Sequence, residues 1–171
     1  QSTGQVNILK TLRLENTTNS TTGVIYSGPN RFMHNFGNEN TFLGENSGNF
    51  TMTGNYNTGV GKLSLISNTI GSSNTGVGRW SLAANTTGNY NTGVGDFSLA
   101  INTTGNSNTG VGGLSLKSNS TGNYNTGIGI GSLEFNTTGN SNTGIGNASL
   151  SSNTTGYANT GVGFGSLSSN T

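Results

Sequence analysis

The chain has no cysteine, and only one proline, one histidine and one tryptophan in 171 residues. Charged residues make up 6% and hydrophobic residues 28%. Each scarcity excludes something. Without cysteine there is no disulfide framework and no thiolate metal site. Six Lys and Arg against five Asp and Glu leave no basic patch of the kind that nucleic-acid binding draws on. No apolar run approaches the roughly 18 residues of a membrane helix, and no signal-peptide core is present. A start at Gln1 fits a chain whose leader has been removed. Ordinary domains are about half apolar and about a quarter charged, so a conventional core is not expected. A disordered tail usually brings charge or proline, and both are nearly missing.

What is present is glycine, asparagine, threonine and serine, together 108 residues. They are arranged as a tandem repeat. The pentamer Asn-Thr-Gly-Val/Ile-Gly begins at Asn57, Asn74, Asn91, Asn108, Asn125, Asn142 and Asn159, every 17 residues without insertion. The unit reads N-T-G-[VI]-G-x-x-S-L-x-x-N-[TS]-T-G-N-[YS], numbered 1 to 17 from its Asn. Residues 40–56 form a weaker copy and residues 23–39 a weaker one still. Tyr56, Tyr90 and Tyr124 alternate with Ser73, Ser107 and Ser141, which suggests duplication of a two-coil unit.

Seventeen residues are too few for a helical hairpin and too glycine-rich for any helix. They suit one coil of an all-β, parallel β-solenoid that stacks on its neighbours. Side-chain alternation predicts two short strands per coil. Positions 2 and 4 share one face of the first strand, with Val or Ile of position 4 inside. Positions 7, 9 and 11 form the apolar face of the second strand, as in Trp80, Leu82 and Ala84. Positions 6, 8 and 10 should meet water, and the charges Lys62, Arg79, Asp96, Lys117 and Glu134 all fall on 6 or 10. The predicted core is Val60, Leu65, Val77, Leu82, Val94, Leu99, Val111, Leu116, Ile128, Leu133, Ile145, Leu150, Val162 and Leu167. Identical residues overlay in such a stack, so Asn57, Asn74, Asn91, Asn108, Asn125, Asn142 and Asn159 should form an amide ladder. Asn68, Asn85 and Asn102 should start a second. Thr-Thr-Gly-Asn reads as one corner, with its Gly at positive φ, and Gly at position 5 as the other.

Three segments follow. Residues 1–22 are an N-terminal strand and assembly segment, 23–56 are degenerate capping coils, and 57–171 are the seven-repeat solenoid. The apolar content of each coil is small, and Asn, Gly and Gly of positions 1, 3 and 5 would leave a flat outer surface for a partner. The chain ends within a perfect repeat, which presents an open sheet edge. Head-to-tail addition is expected there, with Val6, Ile8, Leu12 and Leu14 of one subunit meeting Asn170 and Thr171 of the next. Non-closing contacts of that kind build filaments.

The run T-G-N-Y-N-T-G-V-G-x-x-S-L resembles the head repeats of trimeric autotransporter adhesins. It is similar, more closely, to Asn-Thr-Ala-Ile-Gly repeats of bacterial surface proteins and phage tail fibres. The lead-in G-V-I-Y-S-G-P-N-R-F at residues 23–32 resembles the segment before such repeats. The resemblance covers residues 23–171 and implies a left-handed parallel β-roll, often trimeric, on an extracellular fibre. The repeat here is longer than the adhesin unit, and stalk and anchor segments are absent from the sequence.

Catalysis is not expected, because one His, one Asp and four Glu make no recurring acid–base pair. The glycine-rich G-V-G and G-I-G-I-G runs lack the following helix of a nucleotide loop, and calcium solenoids use Asp where this repeat has Asn. No cofactor or metal is therefore expected. Asn85, Asn102, Asn119, Asn136 and Asn153 are formal glycosylation sites that read more simply as corner residues. The expected function is a structural extracellular protein assembling with itself. A trimeric adhesin or tail-fibre head binding a host glycan or receptor is the alternative. Ice binding through the Thr58, Thr75, Thr92, Thr109, Thr126, Thr143 and Thr160 column is a minor alternative, disfavoured if that column is inside.

Overall fold

The computed structural model describes residues 15–170. It is an all-β, parallel β-solenoid of 17-residue coils, with one strand per coil in a single ten-stranded sheet. β1 (Ile25–Ser27) and β2 (Asn30–His34) form an antiparallel hairpin, and β2 pairs antiparallel with β3 (Thr41–Leu43). From β3 onward every pairing is parallel and in strict register: β4 (Thr58–Val60), β5 (Thr75–Val77), β6 (Thr92–Val94), β7 (Thr109–Val111), β8 (Thr126–Ile128), β9 (Thr143–Ile145) and β10 (Thr160–Val162). Residues 40–56 are thus a full coil. Residues 23–39 are not a coil but include the hairpin, which lies over the first one.

The strand Thr-Gly-Val follows from β-branched residues on either side of a glycine. Its facing is the reverse of the sequence expectation. Asn of position 1 and Gly of position 3 point inward, and Thr and Val point out. Val60, Val77 and Val94 are half-buried, Val111, Ile128 and Ile145 are 36–39% exposed, and Val162 is 67% exposed. The reason is space. A Cβ on Gly93 would stand 2.6 Å from the Ser81 hydroxyl and 3.4 Å from Leu82 Cγ, so no side chain fits inside at position 3. The flat outer surface expected from positions 1, 3 and 5 therefore does not exist.

The second strand is also absent. Ser64 and Leu65 are adjacent and both fully buried, which strand alternation forbids. Leu63 and Leu65 have φ of 60° and 53°, as do their counterparts along the stack. Ser64 N–H donates to Gly61 O, Ala83 N–H to Trp80 O and Asn68 N–H to Leu65 O. The segment is a run of overlapping turns: in Gly61–Ser64 and Trp80–Ala83 the third residue, Leu63 or Leu82, takes the positive φ of a type II turn, whereas in Leu65–Asn68 the positive φ is on the first residue. Between turns it still bonds to neighbouring coils, as Leu82 N–H does to Ser98 O at 3.0 Å. The serine of position 8 consequently faces the interior, not water.

The interior is a single column of leucine flanked by polar columns. Leu65, Leu82, Leu99, Leu116, Leu133 and Leu150 are 0% exposed, and Leu167, with no coil over it, is 48% exposed. In the first coil Phe42 stands at position 3 and Gly48 at position 9, an exchange of large for small. A Cβ on Gly48 would lie 2.7 Å from the Phe42 ring, so the ring occupies the leucine's place.

The remaining interior is asparagine and serine. Asn91 Nδ2 donates to Asn74 Oδ1 at 3.1 Å and to Gly105 O at 2.8 Å, and Asn91 Oδ1 accepts from Asn108 N–H and Nδ2. The second ladder runs through Asn68, Asn85, Asn102, Asn119, Asn136 and Asn153, with Asn102 Nδ2 to Asn85 Oδ1 at 2.8 Å. Both inner ladders donate toward the N-terminus. Each buried serine donates to a strand carbonyl of the next coil, as Ser81 Oγ does to Gly93 O at 2.9 Å. Among the described residues no buried side-chain N or O lacks a partner, which is what makes so polar an interior tolerable. The formal glycosylation sites Asn85, Asn102, Asn119, Asn136 and Asn153 are fully buried ladder residues.

The corner near the end of each coil differs in detail from expectation. Positive φ falls on position 17 (Tyr56 60°, Ser73 59°, Tyr90 58°), not on the glycine of position 15. That glycine instead presents its carbonyl to both inner ladders, as Gly105 O does to Asn91 and Asn102 Nδ2.

Candidate functional site

Chemistry-bearing side chains are few and scattered. Among the described residues no group of three His, Cys, Asp or Glu is placed to hold a metal ion, and no helix is long and apolar enough to cross a membrane.

The cap is the hairpin end. His34 is buried against Phe42 and Phe50, with ring centroids 4.8 and 4.9 Å apart. Its Nε2 lies 2.8 Å from Ser47 O, and its Nδ1 accepts from Phe36 N–H at 3.3 Å. A carbonyl can only accept, so Nε2 carries the proton and Nδ1 is the free base. Burial pushes the imidazole pKa below the ordinary histidine value; the Ser47 carbonyl acts against this, and nearby Arg31 adds to it. Arg31 itself closes the cap by donating to the carbonyls of Asn46, Ser47 and Gly48.

A histidine kept neutral in the fold takes up its proton more readily in the unfolded chain. Its contribution to stability is complete above the unfolded pKa of about 6.5 and is lost as pH falls from there through the folded value. Thermal melts at pH 7.5 and pH 5 should show the cap loosening at the lower pH. His34→Gln should remove most of that difference.

The turn face carries Trp80, which is 37% exposed, beside half-buried Phe97. Ile66, Trp80, Ala83, Phe97, Ala100 and Ile101 line a groove of about 300 Å³, with Lys117 at its edge. The Trp80 and Phe97 rings are stacked at 6.3 Å between centroids and 4° between planes. Arg79 lies over the Phe97 ring at 4.9 Å and pairs with Asp96 through two bonds of 3.0 and 2.8 Å. That pairing holds the Asp96 carboxyl below its usual range. Trp80 and Phe97 were expected inside. The contrary signal was their position: position 7 holds Leu, Trp, Phe, Leu, Gly, Ala and Gly down the stack, and a regular interior cannot absorb such variation.

The strand face is the opposite in character. Thr of position 2 and Val or Ile of position 4 repeat in all seven copies, and Thr41 and Leu43 extend the columns to β3. No charged residue lies in either column. A third asparagine ladder runs outside the corner, from Asn89 through Asn106 and Asn123 to Asn140. It donates toward the C-terminus, opposite to the inner two, and the only signal for it in the sequence is the recurring Asn of the T-G-N corner.

The predicted assembly residues Val6, Ile8, Leu12, Leu14 and Thr171 lie outside the described residues. Asn170 extends the second ladder, donating to Asn153 Oδ1 at 3.3 Å. Asn159 closes the first ladder with a bond of 3.1 Å to Asn142. Compared with known proteins, the chain matches no family model, no curated protein and no solved structure.

Proposed function

We propose that this chain is a structural subunit of an extracellular fibre that associates with copies of itself side by side. One observation carries the reading: the six coils from Leu65 to Leu150 bury one leucine each, while Ile66, Trp80, Phe97 and Ile101 remain on an outer groove. Contiguous exposed apolar surface of this kind marks association sites, and tryptophan is prominent among residues that dominate them. The hairpin over the first coil favours lateral contact over coil-on-coil addition at that end. The extracellular setting rests on the resemblance to surface and tail-fibre repeats.

Purified protein should sediment as multimers and show uniform fibres by negative stain. Trp80→Glu leaves the leucine column untouched and should keep the fold. Losing a contact of about 2 kcal/mol weakens association on the order of 30-fold. A wild-type chain that stays monomeric at high concentration refutes the proposal. A single species of three-fold mass selects the trimeric head instead.

A further inference from the structure

We propose that the strand face binds ice, through its two parallel columns of threonine and valine. Three observations converge on it. The first is that position 2 is Thr and position 4 is Val or Ile in all seven copies, although both point outward. Packing does not require this. The outward position 6 holds Lys, Arg, Asp, Gly, Ile, Asn and Phe in the same seven coils, and the fold tolerates each. A preference for β-branched residues in strands accepts Thr, Val, Ile or aromatics at either position, not one fixed order.

The second observation is hydrogen bonding. The threonines of position 13 spend their hydroxyls on the next coil, as Thr86 Oγ1 does on Thr103 O at 3.0 Å and Thr103 on Ser120 O at 2.9 Å. The hydroxyls of Thr58, Thr75, Thr92, Thr109, Thr126 and Thr143 make no such bond within the described residues and are left to solvent. The third is register. Thr58 pairs with Thr75, Thr75 with Thr92, and so on to Thr160, without a bulge.

The result is a two-dimensional array. Its spacing is about 4.8 Å from coil to coil and about 6.6 Å from Thr to Val along a strand. Hydroxyls alternate with methyl groups, and no charge interrupts them. An array that repeats in two directions is fully engaged only by a partner that repeats likewise. Ordered water is such a partner: hydroxyls can enter its hydrogen-bond network while methyl groups sit in its hollows. The Trp80 groove is confined to a few coils and suits a single docking contact; the strand face suits a lattice. The two proposals therefore use different faces and fail separately.

Thermal hysteresis and crystal shape, measured on the full chain in a nanolitre osmometer, test this. Wild type should open a gap between melting and freezing and produce faceted crystals. Thr109→Lys with Thr126→Lys places two charges on the face and should abolish both effects, with an unchanged circular-dichroism spectrum. Thr109→Val should keep part of the gap, and Trp80→Glu all of it. Unfaceted growth with wild type overturns the proposal. So does activity that survives the double lysine variant. A wild-type dimer that the double variant converts to monomer, without ice shaping by either protein, assigns the face to a second copy and also overturns it.

Discussion

Gly95→Ala should cost about 3 kcal/mol or more, combining strain in a glycine-only backbone region with a collision. Gly95 has φ of 132°, and a Cβ there would stand 2.6 Å from Gly112 C and O. The obstacle is backbone of the next coil, so no side-chain rotation relieves it. The coils must separate, and this breaks the pairing of β6 with β7. For a chain of this size such a loss lowers Tm by on the order of 10 °C. Two other glycines separate the contributions. Gly163 has φ of 117° with nothing within 4 Å of its Cβ site, and Gly113 has no positive φ and only Asp96 O at 3.8 Å. Gly163→Ala should show strain alone, a smaller loss. Gly113→Ala should be near neutral. Differential scanning calorimetry of the three variants gives the order directly; equal losses for Gly95 and Gly163 would remove the collision from the explanation. Because each coil contacts only its neighbours, the Gly95 variant should also unfold in two steps.

Asn91→Asp should be of comparable severity, although it changes only an amide to a carboxyl. In the ladder Asn91 Nδ2 donates to Asn74 Oδ1 and Gly105 O. A carboxylate there faces two acceptors with no proton to offer, in a site with 0% exposure. Leaving buried groups unpaired costs about 1–3 kcal/mol each, and burying the charge adds to it. Such a carboxyl has its folded pKa raised, so the loss is smallest below the unfolded value of about 3.9 and grows as pH rises above it. Asn91→Ala is the uncharged comparison. It strands Asn108 N–H, which donates to Asn91 Oδ1 at 3.0 Å, and its deficit should not depend on pH in that range. Urea melts at pH 3.5 and pH 7 distinguish the two. An Asp variant equally destabilised at both would mean that the ladder admits water.

The solenoid and its asparagine columns were legible because they need only a constant period. With 17 residues in every coil, identical side chains must overlay, whatever the cross-section. The leucine of position 9 was legible too, as the one large apolar side chain identical in every copy. The valine column and the second strand were misread for a common reason. Alternation says that positions 2 and 4 share a face and that 1 and 3 share the other, but it does not say which face is inside. Choosing the apolar pair assumed that burial follows hydrophobicity. Here it follows hydrogen bonding and room: Asn57 and its successors find full sets of partners, and glycine of position 3 alone fits beside serine and leucine.

Sequence by itself therefore determined the period, the parallel stack, the two inner ladders and the absence of charge from the strand columns. Tertiary structure alone decided which columns face out, because that depends on the volume and hydrogen-bond partners available inside a closed coil. The same decision moved threonine and valine from core to surface, turned Ser64 and its counterparts inward, and put Trp80 beside Phe97 on an outer groove.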